Sequence, residues 1–167
     1  MVAVERVINI VAQKYPGYSI RRICEEEGII LRRDMMGRNY FGLYMNLYGQ
    51  GVISVRDDLN FHEETEVMAH ESYHHFFLQF SEGIVERNLL MERRCIHPFL
   101  NFYVRKEELG ADLFAAYFLC PDVSDCTTYQ DIMQKYDRSK EVAKLRMVAE
   151  QKRIYGGANH GLSTKER

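Results

Sequence analysis

The sequence predicts an α+β fold: a small, mainly antiparallel sheet of about three strands packed against one long helix and several shorter ones. Three observations predict it. Successive stretches, beginning with Val4, Val7, Ile8 and Val11, repeat apolar residues at the helical period. Two aromatic and β-branched runs, residues 40–48 and 52–56, are joined by Gly49-Gln50-Gly51, which reads as an antiparallel hairpin. The 167 residues are 46% hydrophobic and 28% charged, the balance of a globular domain with a real core. One domain is expected over residues 1–155, with a flexible tail over 156–167.

In chain order, the first helix runs from Val2 to Tyr15 and is stopped by Pro16-Gly17. A short helix from Ser19 to Glu27 follows, with Ser19 as N-cap, Gly28 as stop, and Ile20, Ile23 and Cys24 on its buried side. Ile29-Ile30-Leu31 reads as a strand, then comes the hairpin. Its tyrosines and phenylalanines read as cross-strand packing rather than a base-stacking platform, because basic residues are not interleaved with them. The long helix spans about Asn60 to Phe80, with Asn60 and Glu63 at capping-box spacing and an apolar end at Phe76-Phe77-Leu78 expected against the sheet. Ile84 to Arg94 reads as helical. Further helices are expected from Tyr103 to Leu119, stopped by Cys120-Pro121, from Asp125 or Thr128 to Tyr136, and from Lys140 to Ile154 with Ser139 as cap. Leu109, Phe114, Ala115, Ala116 and Phe118 supply the apolar side of the first of these, and Val142, Leu145 and Ala149 that of the last.

The charge excludes several function classes. Twenty-two basic and 24 acidic side chains leave a net charge of -2, so no direct nucleic-acid surface is expected. No apolar run approaches the ~20 residues of a membrane span, and Met1-Val-Ala-Val-Glu-Arg does not read as a signal peptide. Cys24, Cys95, Cys120 and Cys126 fit no zinc knuckle or redox pair, so reduced thiols and a cytoplasmic location are expected. Cys95-Ile96-His97 reads as ordinary spacing rather than a second metal site.

The chemistry is carried by His70-Glu71-x-x-His74. Residues four apart on a helix share a face, about 6 Å apart along the axis, so both imidazoles can bind one tetrahedral Zn2+. Glu71, beside them, can take a proton from a zinc-bound water. A catalytic zinc keeps three protein ligands, so a third is expected downstream. Glu108 is the best candidate and Glu107 its rival. Only Glu108 has a carboxylate four residues on, Asp112, which can accept a hydrogen bond from a ligand histidine and fix its tautomer. Gly110, Ala111, Ala115 and Ala116 would let the two helices approach closely. The donor for a developing oxyanion is left among His75, His97 and Tyr103, with His75 pointing about 100° away from His74. The hairpin is expected to offer a sheet edge on which an extended peptide could add as a strand.

Together, Ile53-Ser-Val-Arg-Asp-Asp-Leu59, Ala69-His-Glu-x-x-His74 and Glu108-x-x-Ala-Asp-x-Phe-Ala-Ala116 through Leu119-x-Pro121 resemble the ImmA/IrrE metallopeptidases over roughly residues 19–125. The resemblance implies a compact zincin-like domain of bacterial or phage type. It implies a zinc peptidase that cleaves a protein substrate such as a helix-turn-helix repressor. It also implies His70, His74 and Glu108 as metal ligands and Glu71 as general base. The chain departs from the family pattern at Ser72-Tyr73, where Leu-Gly is usual, and at Gly110, where a second Glu is frequent. The alternative expectation is a non-proteolytic metal-binding regulator or a toxin–antitoxin component, in which Cys95 or Cys120 would complete a closed metal site.

Overall fold

The computed structural model describes residues 2–80, 91–96 and 106–158. In order they form α1 (Val2–Lys14), α2 (Ile20–Glu26), β1 (Ile30–Asp34), β2 (Tyr40–Leu47), β3 (Gln50–Arg56), α3 (Phe61–Phe80), β4 (Met91–Ile96), α4 (Lys106–Leu119), α5 (Tyr129–Tyr136) and α6 (Lys140–Ala158). The fold is α+β with a small sheet, as the sequence predicts.

The sheet has strand order β1-β3-β2-β4. The β2–β3 hairpin is antiparallel, with Gly42 opposite Val55 and Tyr44 opposite Ile53. Tyr48 and Gly49, both at positive φ (53° and 92°), turn it, as a tight hairpin twist requires. β1 joins β3 in parallel, and β4 joins β2 antiparallel. β4 occupies the end of the stretch read from sequence as helical. The reason is tertiary: Met91–Ile96 finds its hydrogen-bond partners along β2, and such pairing overrides local propensity. Residues 84–90 lie outside the described residues. Both hairpin strands are therefore interior, and the sheet's outermost strands are β1 and β4. The expected hairpin edge is not available for strand addition.

β3 is buried at every position from Gly51 to Val55, as suits a strand flanked on both sides. On one face, Gly42 and Tyr44 of β2 and Gly51 of β3 receive α3. The start of α3 is fixed by a capping box: Asn60 Oδ1 accepts from the Glu63 amide at 3.1 Å, and Glu63 Oε2 from the Asn60 amide at 3.0 Å. α3 has almost no polar stripe, because sheet and helices cover it on several sides. Every residue from Val67 to His74 is buried. Phe76 is fully buried in the core, its ring packed on Phe80 of the same helix and on Phe114 of α4.

Ala111 and Ala116 are 0% exposed, and these small side chains let α4 lie close on α3. Leu109, expected to be apolar packing, is 46% exposed. The inner side of α6 is Ala143 and Arg146, with Val142 and Met147 half-buried against the core as well; Leu145 and Ala149, also half-buried, are not part of that packing. Arg146 is tolerated there because its Nε donates to the Cys120 carbonyl, its Nη1 pairs with Glu150, and its guanidinium lies 4.1 Å from the Tyr117 ring centre. α6 continues through Gly156-Gly157 to Ala158, and residues 159–167 lie outside the described residues.

Candidate metal centre

Helical spacing puts His70 and His74 on one face of α3, their ring centres 5.4 Å apart. α4 brings Glu108 to both. Its Oε2 lies 3.3 Å from His70 Nε2 and its Oε1 3.7 Å from His74 Nε2. The three side chains form a group whose ligand atoms all lie within 4.8 Å of one another, and it could hold a metal ion. For bonds of about 2.05 Å, the edge of a tetrahedral zinc shell is about 3.3 Å, so the two glutamate–histidine separations lie near the donor spacing of such an ion. Among the described residues, no fourth side chain joins the group; Cys120 is buried elsewhere, at the end of α4.

Asp112, one turn after Glu108, places Oδ1 at 2.8 Å from His70 Nδ1. With the proton on Nδ1, that contact would leave the Nε2 lone pair on the side of Glu108, which is how a carboxylate behind an imidazole prepares it as a ligand. His70 and His74 are nearly buried, and Glu108 is about a quarter exposed, so the group opens to solvent on the α4 side.

Glu71 lies beside this cluster and is fully buried. Neither carboxylate oxygen makes a hydrogen bond to a side chain among the described residues; the Tyr44 backbone is the polar group beside it. Burial pushes its carboxyl up to about 8. The Glu108 and Asp112 carboxylates act in the same direction, and His70 and the Tyr44 backbone act against it. A divalent cation at the cluster would reverse the balance and favour the carboxylate. Glu71 packs on Gly42, in the strand next to β4. A β-carbon at Gly42 would lie 3.0 Å from Glu71 Oε1 and collide with Val67 Cγ1. The β2–β4 register shifts between Tyr40 and Gly42, so the irregularity in the ladder falls at the strand position facing the buried carboxylate.

The structure thus brings together His70, Glu71, His74, Glu108 and Asp112. The Glu107 side chain, His97 and Tyr103 lie outside the described residues. His75 faces away from the cluster, with its Nδ1 3.1 Å from the Tyr44 hydroxyl, so it takes no part there. Sequence reasoning missed Gly42, for which it had no signal beyond a glycine inside a strand pattern. It also missed that its two departures from the family pattern meet: Tyr73 of α3 lies directly against Gly110 of α4.

A cavity of about 120 Å³ lies farther along α3, lined by Arg21, Leu31, Arg33, Ile53, Glu64 and Met68 among others, and includes none of the cluster. Among the described residues, no helix is long and apolar enough to cross a membrane. Comparison with protein-family models, curated proteins and solved structures finds no match.

Proposed function

We propose that the chain is a zinc-dependent endopeptidase of the ImmA/IrrE type, acting on a regulatory protein such as a helix-turn-helix repressor. The observation that carries this reading is Glu71, a fully buried carboxylate with no side-chain hydrogen-bond partner among the described residues, beside a cluster of two histidines and a glutamate. A structural metal site has no use for such a group, whereas hydrolysis needs one. Two imidazoles and one carboxylate suit zinc among the common divalent ions. The substrate class rests on the sequence resemblance alone.

His70, His74 and Glu108 would hold the zinc ion, which when bound would supply a Lewis acid for a peptide carbonyl and for a water. Glu71 accepts the proton of the attacking water on a carboxylate oxygen and hands it to the departing amine. Asp112 keeps the His70 proton on Nδ1 throughout. Glu71, fully buried and packed on Gly42 of β2, is kept from bulk water.

The test is co-expression with the helix-turn-helix repressor encoded nearest the gene. Cleavage is expected with the wild-type chain and absent with Glu71→Gln, which should still bind zinc. Undiminished cleavage by that variant would remove Glu71 from its role. A wild-type chain that takes up no zinc would sink the whole reading.

A further inference from the structure

We propose that Tyr73 and Gly110 act as a matched spacer that sets the gap between α3 and α4, and with it the distance from Glu108 to the two histidines. The inference rests on the metal reading of the cluster. Three glycines receive side chains of α3: Gly42 faces Val67 and Glu71, Gly51 faces His75, and Gly110 faces Tyr73. Gly110 differs from the others in lying on the element that carries the third ligand, two residues after Glu108 and two before Asp112.

A β-carbon at Gly110 would stand 2.6 Å from the Tyr73 hydroxyl, 2.9 Å from Cζ and 3.1 Å from Cε1. The ring cannot swing aside. Tyr73 is 1% exposed and is held by Phe77 in a stack at 5.6 Å and by Phe114 at 5.9 Å between ring centres. α4 would have to yield instead, by a shift of several tenths of an ångström or more. Metal–ligand distances tolerate only about 0.2 Å. Glu108 spans two histidines, at 3.3 and 3.7 Å, so any tilt or lift of α4 on the Tyr73 ring alters both separations and the 2.8 Å Asp112 contact with them. Tyr73 also lies edge-on to the His74 ring, 5.9 Å between ring centres; neither Tyr73 nor Gly110 supplies a donor to the cluster, and both are positioning residues.

The experiment titrates the full chain with Co2+, reading affinity and the visible ligand-field spectrum, with far-UV circular dichroism as the check of folding. Gly110→Ala should weaken Co2+ binding about tenfold to a hundredfold, the range expected when support behind a ligand is lost, and alter the spectrum. Tyr73→Leu combined with Gly110→Ala should recover the affinity and spectrum of Tyr73→Leu alone, because the leucine leaves room for the new methyl. A folded Gly110→Ala chain with unchanged affinity and spectrum overturns the spacer. If Gly110→Ala does not fold, the double variant decides: folding and Co2+ binding like Tyr73→Leu supports the spacer, and a double variant as defective as Gly110→Ala overturns it. These failures are separate from that of the metal reading itself, which falls, and the spacer with it, if the wild-type chain binds no Co2+.

Discussion

Asp112 shows how far one residue's geometry can be pressed. Its Oδ1 sits 2.8 Å from His70 Nδ1, so it would orient that imidazole toward a metal without itself joining the His70, His74 and Glu108 group. Asp112→Ala should leave metal binding detectable but weaken it about tenfold to a hundredfold, measured by competition with a chromophoric chelator. Unchanged affinity would mean that packing alone holds the imidazole. The His70, His74 and Glu108 grouping was readable from sequence because helical geometry converts a spacing of four into a shared face. The seats were not readable. Nothing in a one-dimensional pattern says that Gly42 backs Glu71, or that the missing side chain at Gly110 is filled by Tyr73 from another helix. Such contacts arise only once two elements have been placed, and a glycine advertises its freedom, not its neighbour.

At the scale of elements, Glu64 ties three of them together. It lies on α3 and pairs with Arg21 of α2 at 2.7 Å and with Arg33 of β1. Burial raises its carboxyl pKa, but the two guanidiniums outweigh burial and hold it below the ordinary 4.5. A depressed folded-state pKa gives stability that is present in full above the unfolded value and lost as pH falls through the folded one. Denaturant melts of wild type and Glu64→Gln should therefore differ by a constant amount above about pH 5, and the gap should shrink as pH falls below 4.5. A gap independent of pH would show that the pairs add nothing beyond packing. Helix starts were well marked in the sequence, since caps are local: Asn60, Thr128 and Ser139 each accept from the first-turn amides as their spacing implies. β4 was not marked. A strand that pairs with a partner some fifty residues earlier takes its identity from that partner, as the Tyr44–Arg93 register shows.

For the molecule as a whole, the cluster joins α3 to α4 across residues remote in sequence, so a metal bound there binds the folded chain and not the unfolded one. Zn2+ at about 100 times its Kd should add about 2.7 kcal/mol to stability. The rise in Tm should scale with metal concentration, reverse with a chelator and vanish in His74→Ala. A rise that persists in His74→Ala would place the metal elsewhere. The sheet order has a further consequence, which concerns time. β2 and β3 meet through a two-residue turn, whereas β1 must reach past β2 to pair with β3, and β4 arrives only after α3 has been made. Short loops close first, so the hairpin is the natural nucleus, and the surface that receives Val67 and Glu71 of α3 exists before that helix docks on it. Gly49→Ala, which strains the turn at φ 92°, should slow refolding and leave the unfolding rate nearly unchanged. If the unfolding arm takes the change instead, the hairpin forms late, and the helices come together before the sheet that seats them.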